Sequence, residues 1–272
     1  MDMHTHMHGN MLLAAVASLA LAGAARAEVK TEAVEYQQGE TALQGFFAWD
    51  DAVKGKRPGV LVIHEWWGHN EHARNQAIRL AKAGYVGFAL DMFGKGKLAK
   101  HPEDAQAFVK EATADPMVTK ARFDAALALL KARPQVNPED IGAVGYCFGG
   151  AVALGMARAG EDLDVVATFH GALANRGPPA EKGKVKPRIF VATGGADPMV
   201  TKDQVEAFEK EMKDAGARVE VVVYPNVKHS FTNPDAGKAG MSGLAYDAEA
   251  DRKSWEAAMK VFREVWKGGS KS

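Results

Sequence analysis

An apolar run entering Gly145-Tyr146-Cys147-Phe148-Gly149-Gly150, and leaving it as a stretch of small residues through Arg158, constrains this chain more than any other segment. The run Ile141–Gly145 reads as a buried strand, and Gly150–Arg158 reads as a helix. Glycines on both sides of Cys147 let two backbone segments come close around a strained turn. Such a strand–turn–helix lifts its middle residue to the C-terminal edge of a sheet, the arrangement called a nucleophile elbow. The unpaired N–H groups and the dipole at the start of a helix favour a thiolate over a thiol. Cys147 is therefore expected to be a nucleophile rather than a buried structural cysteine.

The rest of the chain alternates strand-like and helix-like segments. Strands are expected at Gly59–Ile63, Tyr85–Leu90, Val165–Phe169, Arg188–Thr193 and Arg218–Tyr224. Helices are expected near Asn70–Ala83, Met117–Ala132 and Thr201–Ala215, and around Trp255, Met259, Phe262 and Trp266, whose spacing places them on one face. Continuous apolar strands alternating with amphipathic helices predict an α/β fold, with a mostly parallel central sheet covered by helices on both faces. The Pro-, Gly- and Lys-rich segment 176–186 reads as a surface loop.

Residues 11–25 form an Ala- and Leu-rich run too short to span a membrane comfortably, and Ala25-Arg26-Ala27 follows with small residues where a signal peptidase cuts. Residues 1–27 are thus expected to be a cleaved signal peptide, and 28–272 a single domain exported to the periplasm or secreted. The segment before the apolar run has no Lys or Arg, only His4, His6 and His8. After cleavage no membrane association is expected. The 34 basic and 34 acidic residues balance, so no net charge draws the protein to nucleic acid. A single cysteine rules out a disulfide within the chain and leaves stability to the core. A monomer is expected.

Two partners follow Cys147 in the chain order nucleophile, acid, base. Asp197 lies in Gly194-Gly195-Ala196-Asp197-Pro198, just past an expected strand, and His229 lies in the loop after the next one. Both therefore reach the sheet edge that carries the elbow. Two backbone N–H groups are expected to form an oxyanion hole: Phe148, next to the nucleophile, and Trp66, in the loop after Ile63.

The elbow GYCFGG, the segment GGADP and the stretch from His229 to Trp255 resemble the dienelactone hydrolase family, an α/β-hydrolase branch with cysteine in place of serine. The likeness runs from about Gly59 onward. It implies hydrolysis of a carboxylic ester or enol-lactone, and it gives Glu65 the role of taking the thiol proton when substrate binds. Members of that family grip a substrate carboxylate with two arginines. Here the matching positions hold Lys95 and Asn233, so the clamp is weakened. Trp66, Trp67 and Phe93 are expected to form an apolar wall for the substrate.

No cofactor and no metal is expected. The stretch His64–His72 fails the H-E-x-x-H pattern of a zinc protease, since its fifth position is Gly68. Two other readings compete with a hydrolase. One is a cysteine-elbow amidotransferase, which needs a later His-x-Glu that neither His170 nor His229 provides. The other is a non-catalytic binding protein on the same scaffold.

Overall fold

The computed structural model describes residues 28–175 and 177–267, together with Met1. Apart from Met1, the expected leader lies outside the described residues.

Fourteen segments build the fold: β1 (Val29–Gln38), β2 (Thr41–Asp50), β3 (Arg57–Ile63), α1 (Glu71–Lys82), β4 (Val86–Leu90), α2 (Pro102–Thr113), α3 (Pro116–Lys131), β5 (Val136–Tyr146), α4 (Phe148–Ala159), β6 (Val165–Phe169), β7 (Arg188–Gly194), α5 (Lys202–Asp214), β8 (Val219–Tyr224) and α6 (Ala248–Lys267). A single 3-10 turn, Ala236–Ala239, precedes α6. The strands form one eight-stranded sheet in the order β1-β2-β4-β3-β5-β6-β7-β8. From β4 to β8 all neighbours run parallel. The first two described strands form a hairpin absent from the sequence expectations: β1 pairs antiparallel with β2, and β2 antiparallel with β4. Helix α2 was also unexpected.

Side-chain alternation along β3 explains the two helical layers. Leu61 and Ile63 join a cluster with Phe123 of α3, Val152 of α4 and Phe208 of α5. Val60 and Val62 point the other way, toward Ala77 and Leu80 of α1 and Phe262 of α6. A strand buried on both faces needs a continuous apolar run, which Gly59–Ile63 of β3 and the whole of β4 supply. Helix starts are specified locally. Asn70 Oδ1 accepts the Ala73 N–H at the head of α1, and Thr201 and Gln204 form a capping box on α5.

Strand order reverses direction at β3, which lies between β4 and β5. In an open α/β sheet that reversal leaves a crevice at the C-terminal strand ends. The elbow after β5 and the His64-Glu65-Trp66 turn after β3 flank this crevice, and the loops after β6, β7 and β8 line its continuation.

Phe123 is fully buried in the larger cluster. Phe123→Ala should lower stability by about 3–5 kcal/mol through lost burial and a residual cavity. Met117, at the exposed start of the same helix, is 71% accessible. Met117→Ala should change stability by no more than about 0.5 kcal/mol. Urea unfolding checks both, and equal midpoint shifts would contradict the layer assignment.

Candidate active site

Cys147 sits between β5 and α4 with φ 52° and ψ −114°, in the left-handed half of backbone space. Its N–H donates to the Phe169 carbonyl at 3.2 Å, and its own carbonyl accepts from Gly150 at 3.0 Å. Gly149 N–H donates to His64 C=O at 3.1 Å, tying the elbow to the end of β3. The flanking glycines are demanded by contact. A Cβ on Gly145 would strike the Gly149 carbonyl, and one on Gly149 would strike the Ile63 carbonyl. The thiol itself is half-buried. Phe148 opens α4, so its N–H has no acceptor within the helix. The Trp66 N–H has no backbone partner among the described residues. Both donors expected for an oxyanion hole therefore sit unused at the crevice.

The loop beyond β7 carries Asp197, whose side chain is fully buried. Its Oδ1 accepts the Met199 N–H at 2.7 Å, and its Oδ2 accepts from His229 Nδ1 at 2.7 Å. The His229 backbone is anchored in turn, donating to Gly243 C=O and accepting from Ala245 N–H, both at 3.1 Å. His229 Nε2 is buried. Burial alone would strip the imidazole of its proton. The negative charge of Cys147, the bond to Asp197 and the Asp197 charge outweigh burial and push the His229 pKa up to about 10. The three residues expected to form a triad are thus brought together.

Glu65 is buried at the end of β3, and its two oxygens face the base loop rather than the thiol. Ser230 Oγ donates to Oε1 and Asn233 Nδ2 donates to Oε2, each at 2.6 Å. Asn233 Oδ1 accepts the Asp235 N–H at 2.9 Å, which fixes the amide with its nitrogen toward Glu65. One N–H of the Asn233 amide is therefore engaged by the Glu65 carboxylate. The Lys95 ammonium pairs with Glu35 on β1 at 2.6 Å, on an exposed surface. Phe93 is core rather than wall, 1% accessible and packed 5.3 Å from the Phe148 ring and 4.7 Å from His64. Trp66 and Trp67 are half-buried and meet edge to face at 5.1 Å, so they remain available to an apolar substrate.

His64 is occupied by backbone. Its Nδ1 lies 2.6 Å from Glu65 C=O, and its Nε2 accepts the Met92 N–H at 3.1 Å. Burial lowers its pKa, and both nitrogens serve to fix the turn that holds Glu65 and Trp66. Ser230 and His170 were not singled out from sequence. Ser230 adjoins His229 and was open to notice; His170 ends a strand and gives no local signal of its position.

A sequence profile of the dienelactone hydrolase family matches residues 43–266. A relative from Aquifex pyrophilus, named protein usf, is 30% identical over 85% of this chain and 97% of its own length. A second, from Aquifex aeolicus and named "Putative carboxymethylenebutenolidase", is 30% identical over 86% of this chain and 98% of its own. The crystal structure of a dienelactone hydrolase-like promiscuous phosphotriesterase from metagenomic libraries superposes with a TM-score of 0.83. It shares 35% identity, covering 87% of this chain and 98% of that one. The α/β-hydrolase architecture expected from sequence is the observed one.

Replacing the Asp197 carboxylate by an amide removes two of the influences that hold the proton on His229. In Asp197→Asn the imidazole pKa should fall from about 10 toward the ordinary 6.5. Nitrogen chemical shifts of the ring, followed against pH, measure it. An unmoved titration would mean that Asp197 does not act on the imidazole.

Proposed function

The chain belongs to the dienelactone hydrolase family and is an ester- or lactone-cleaving hydrolase, and we propose that its nucleophile is Cys147, in a triad with His229 and Asp197. One observation carries this: a half-buried cysteine at a left-handed elbow lies beside an imidazole that is bonded through Nδ1 to a buried carboxylate.

Cys147 Sγ, as thiolate, attacks the substrate carbonyl carbon. The new S–C bond puts negative charge on the carbonyl oxygen, where the Phe148 and Trp66 N–H groups are available to stabilise it without reorganising. Collapse of this intermediate breaks the C–O bond, and the departing oxygen takes the proton from His229. The product so far is a thioester and a neutral imidazole. Water then attacks the thioester carbonyl while His229 accepts its proton. Collapse of this second intermediate breaks the C–S bond, which releases the carboxylic acid and restores the thiolate beside the protonated His229. Asp197 holds Nδ1–H throughout and keeps Nε2 directed at the sulfur.

Family resemblance gives Glu65 the thiol proton. The resting geometry gives Glu65 a second task as well, anchoring the base loop through Ser230 and Asn233.

Substrate class follows from what is missing near the sulfur. Lys95 and Asn233 are engaged elsewhere, whereas Trp66 and Trp67 stay partly open. We infer that neutral lactones or small esters are preferred over carboxylate-bearing ones, since a charge-assisted bond worth roughly 1.5–3 kcal/mol is lost with each absent arginine. The relatives named as carboxymethylenebutenolidases support a lactone.

Cys147→Ala should abolish hydrolysis of an activated aryl ester with the circular dichroism of the fold unchanged. Iodoacetamide should label Cys147 in step with loss of activity in the parent protein. Turnover retained by the alanine variant would end the proposal. For the substrate class, kcat/KM of an enol-lactone acid is compared with that of its methyl ester at low and high salt. The ester should match or exceed the acid; a strong, salt-sensitive preference for the acid would overturn the inference.

A further inference from the structure

His229 pairs with the Cys147 sulfur across the crevice, and that direct tie is one restraint on their separation. The residue after β6 supplies an indirect one. Phe169 C=O receives the Cys147 N–H at 3.2 Å, and the next residue, His170, donates its N–H to Ala192 C=O of β7 at 2.8 Å. The His170 side chain is fully buried and reaches the base loop, with Nε2 2.8 Å from Thr232 Oγ1. Its ring lies 5.1 Å from that of His229 at 65°, and 5.2 Å from Phe231 at 82°. Two adjacent residues thus contact the elbow, the strand leading to Asp197, and the loop bearing His229.

Backbone conformation points to the same place. Four non-glycine residues among those described have positive φ, and three of them belong to this site: Cys147, His170 at 43° and Ser230 at 55°. Such conformations persist where the surroundings over-determine them, and they gather at functional sites.

We propose that His170 is a positioning residue, which fastens the 229–233 loop through Thr232 and so sets the distance between the Cys147 sulfur and the His229 imidazole. This rests on the triad reading. The ring suits the task because it stays neutral. Burial, followed by the charges of His229 and His72, holds its pKa well below the ordinary value. Asp197 and Cys147 are the charged groups acting on His229, and Glu65 and Asp251 act on His72. A second cation packed on the His229 ring would oppose the first; a neutral imidazole packs there without that repulsion.

Thr232→Val keeps the side chain's shape and removes its hydroxyl. It should lower kcat/KM by about ten- to a hundredfold, the scale expected when reacting groups are displaced by a fraction of an ångström to one ångström. The ultraviolet thiolate signal of Cys147 should also titrate at higher pH than in the parent protein. Thr232→Ser, which retains the hydroxyl, should recover most of both. His170→Asn tolerates the left-handed backbone and serves if the valine variant does not fold. It should show the same two changes, and the double variant should be little worse than either single one. A lowered melting temperature with kcat and the thiolate titration unmoved would overturn the proposal, as would fully additive effects. Parent protein with a normal thiolate titration, beside insensitive variants, sinks this proposal alone. A parent protein without any such titration sinks the triad reading as well.

Discussion

A non-glycine residue held in a sparsely populated backbone region costs on the order of 1–3 kcal/mol, and the turn at Cys147 persists because neighbouring strands leave it no alternative. Phe169 takes its N–H from one side, and the His64 carbonyl takes the Gly149 N–H from the other. The two glycines remove the atoms that would push these strands apart. Register between β3 and β5 follows from this contact, with Ile63 opposite Gly145. So does the position of the Glu65-Trp66 turn, which could not approach the elbow if Gly149 carried a side chain. The crevice is therefore a by-product of one tight strand–helix junction, and the functional groups collect where that junction opens.

Much of this was legible in the sequence because its signals are local. Continuous apolar runs specify the buried parallel strands. The glycine spacing specifies the elbow, and the order of Asp197 and His229 after successive strands brings them to the same edge. The hairpin β1–β2 was missed for a physical reason. It is an edge unit, with one face half-exposed, and β1 mixes Lys, Thr, Glu and Gln with few apolar residues. Its stability comes from pairing with β2 rather than from a buried run. Helix α2 buries only Ala105 and Ala112, too narrow a stripe to announce itself.

Side-chain partnerships were harder to read because they join residues far apart in the chain. Ser230 and Asn233 bond to Glu65 across 165 and 168 positions, and nothing local to either end predicts the other. Lys95 looked like a substrate cation until the hairpin supplied Glu35 as its partner. Phe93 was expected beside Trp66 and Trp67 in an apolar wall, just past the end of β4 at Leu90. Instead the backbone N–H groups of Phe93 and Gly94 wrap Asp91, and the ring turns into the core. In each case a hydrogen bond or ion pair formed by the fold decides which way the side chain points.

The sequence contains a single cysteine, and the fold leaves it half-exposed. A thiolate-prone sulfur in that setting is also the place where an oxidant reacts first. Peroxide would convert it to a sulfenic acid, which in many redox-active proteins is trapped as a disulfide by a second thiol. This chain has none to offer. Recovery would depend on a small thiol from the surroundings, and without one the sulfur would proceed to the sulfinic acid and be lost. An oxidised Cys147 would therefore tie the protein's working lifetime to the reducing capacity of whatever compartment it occupies.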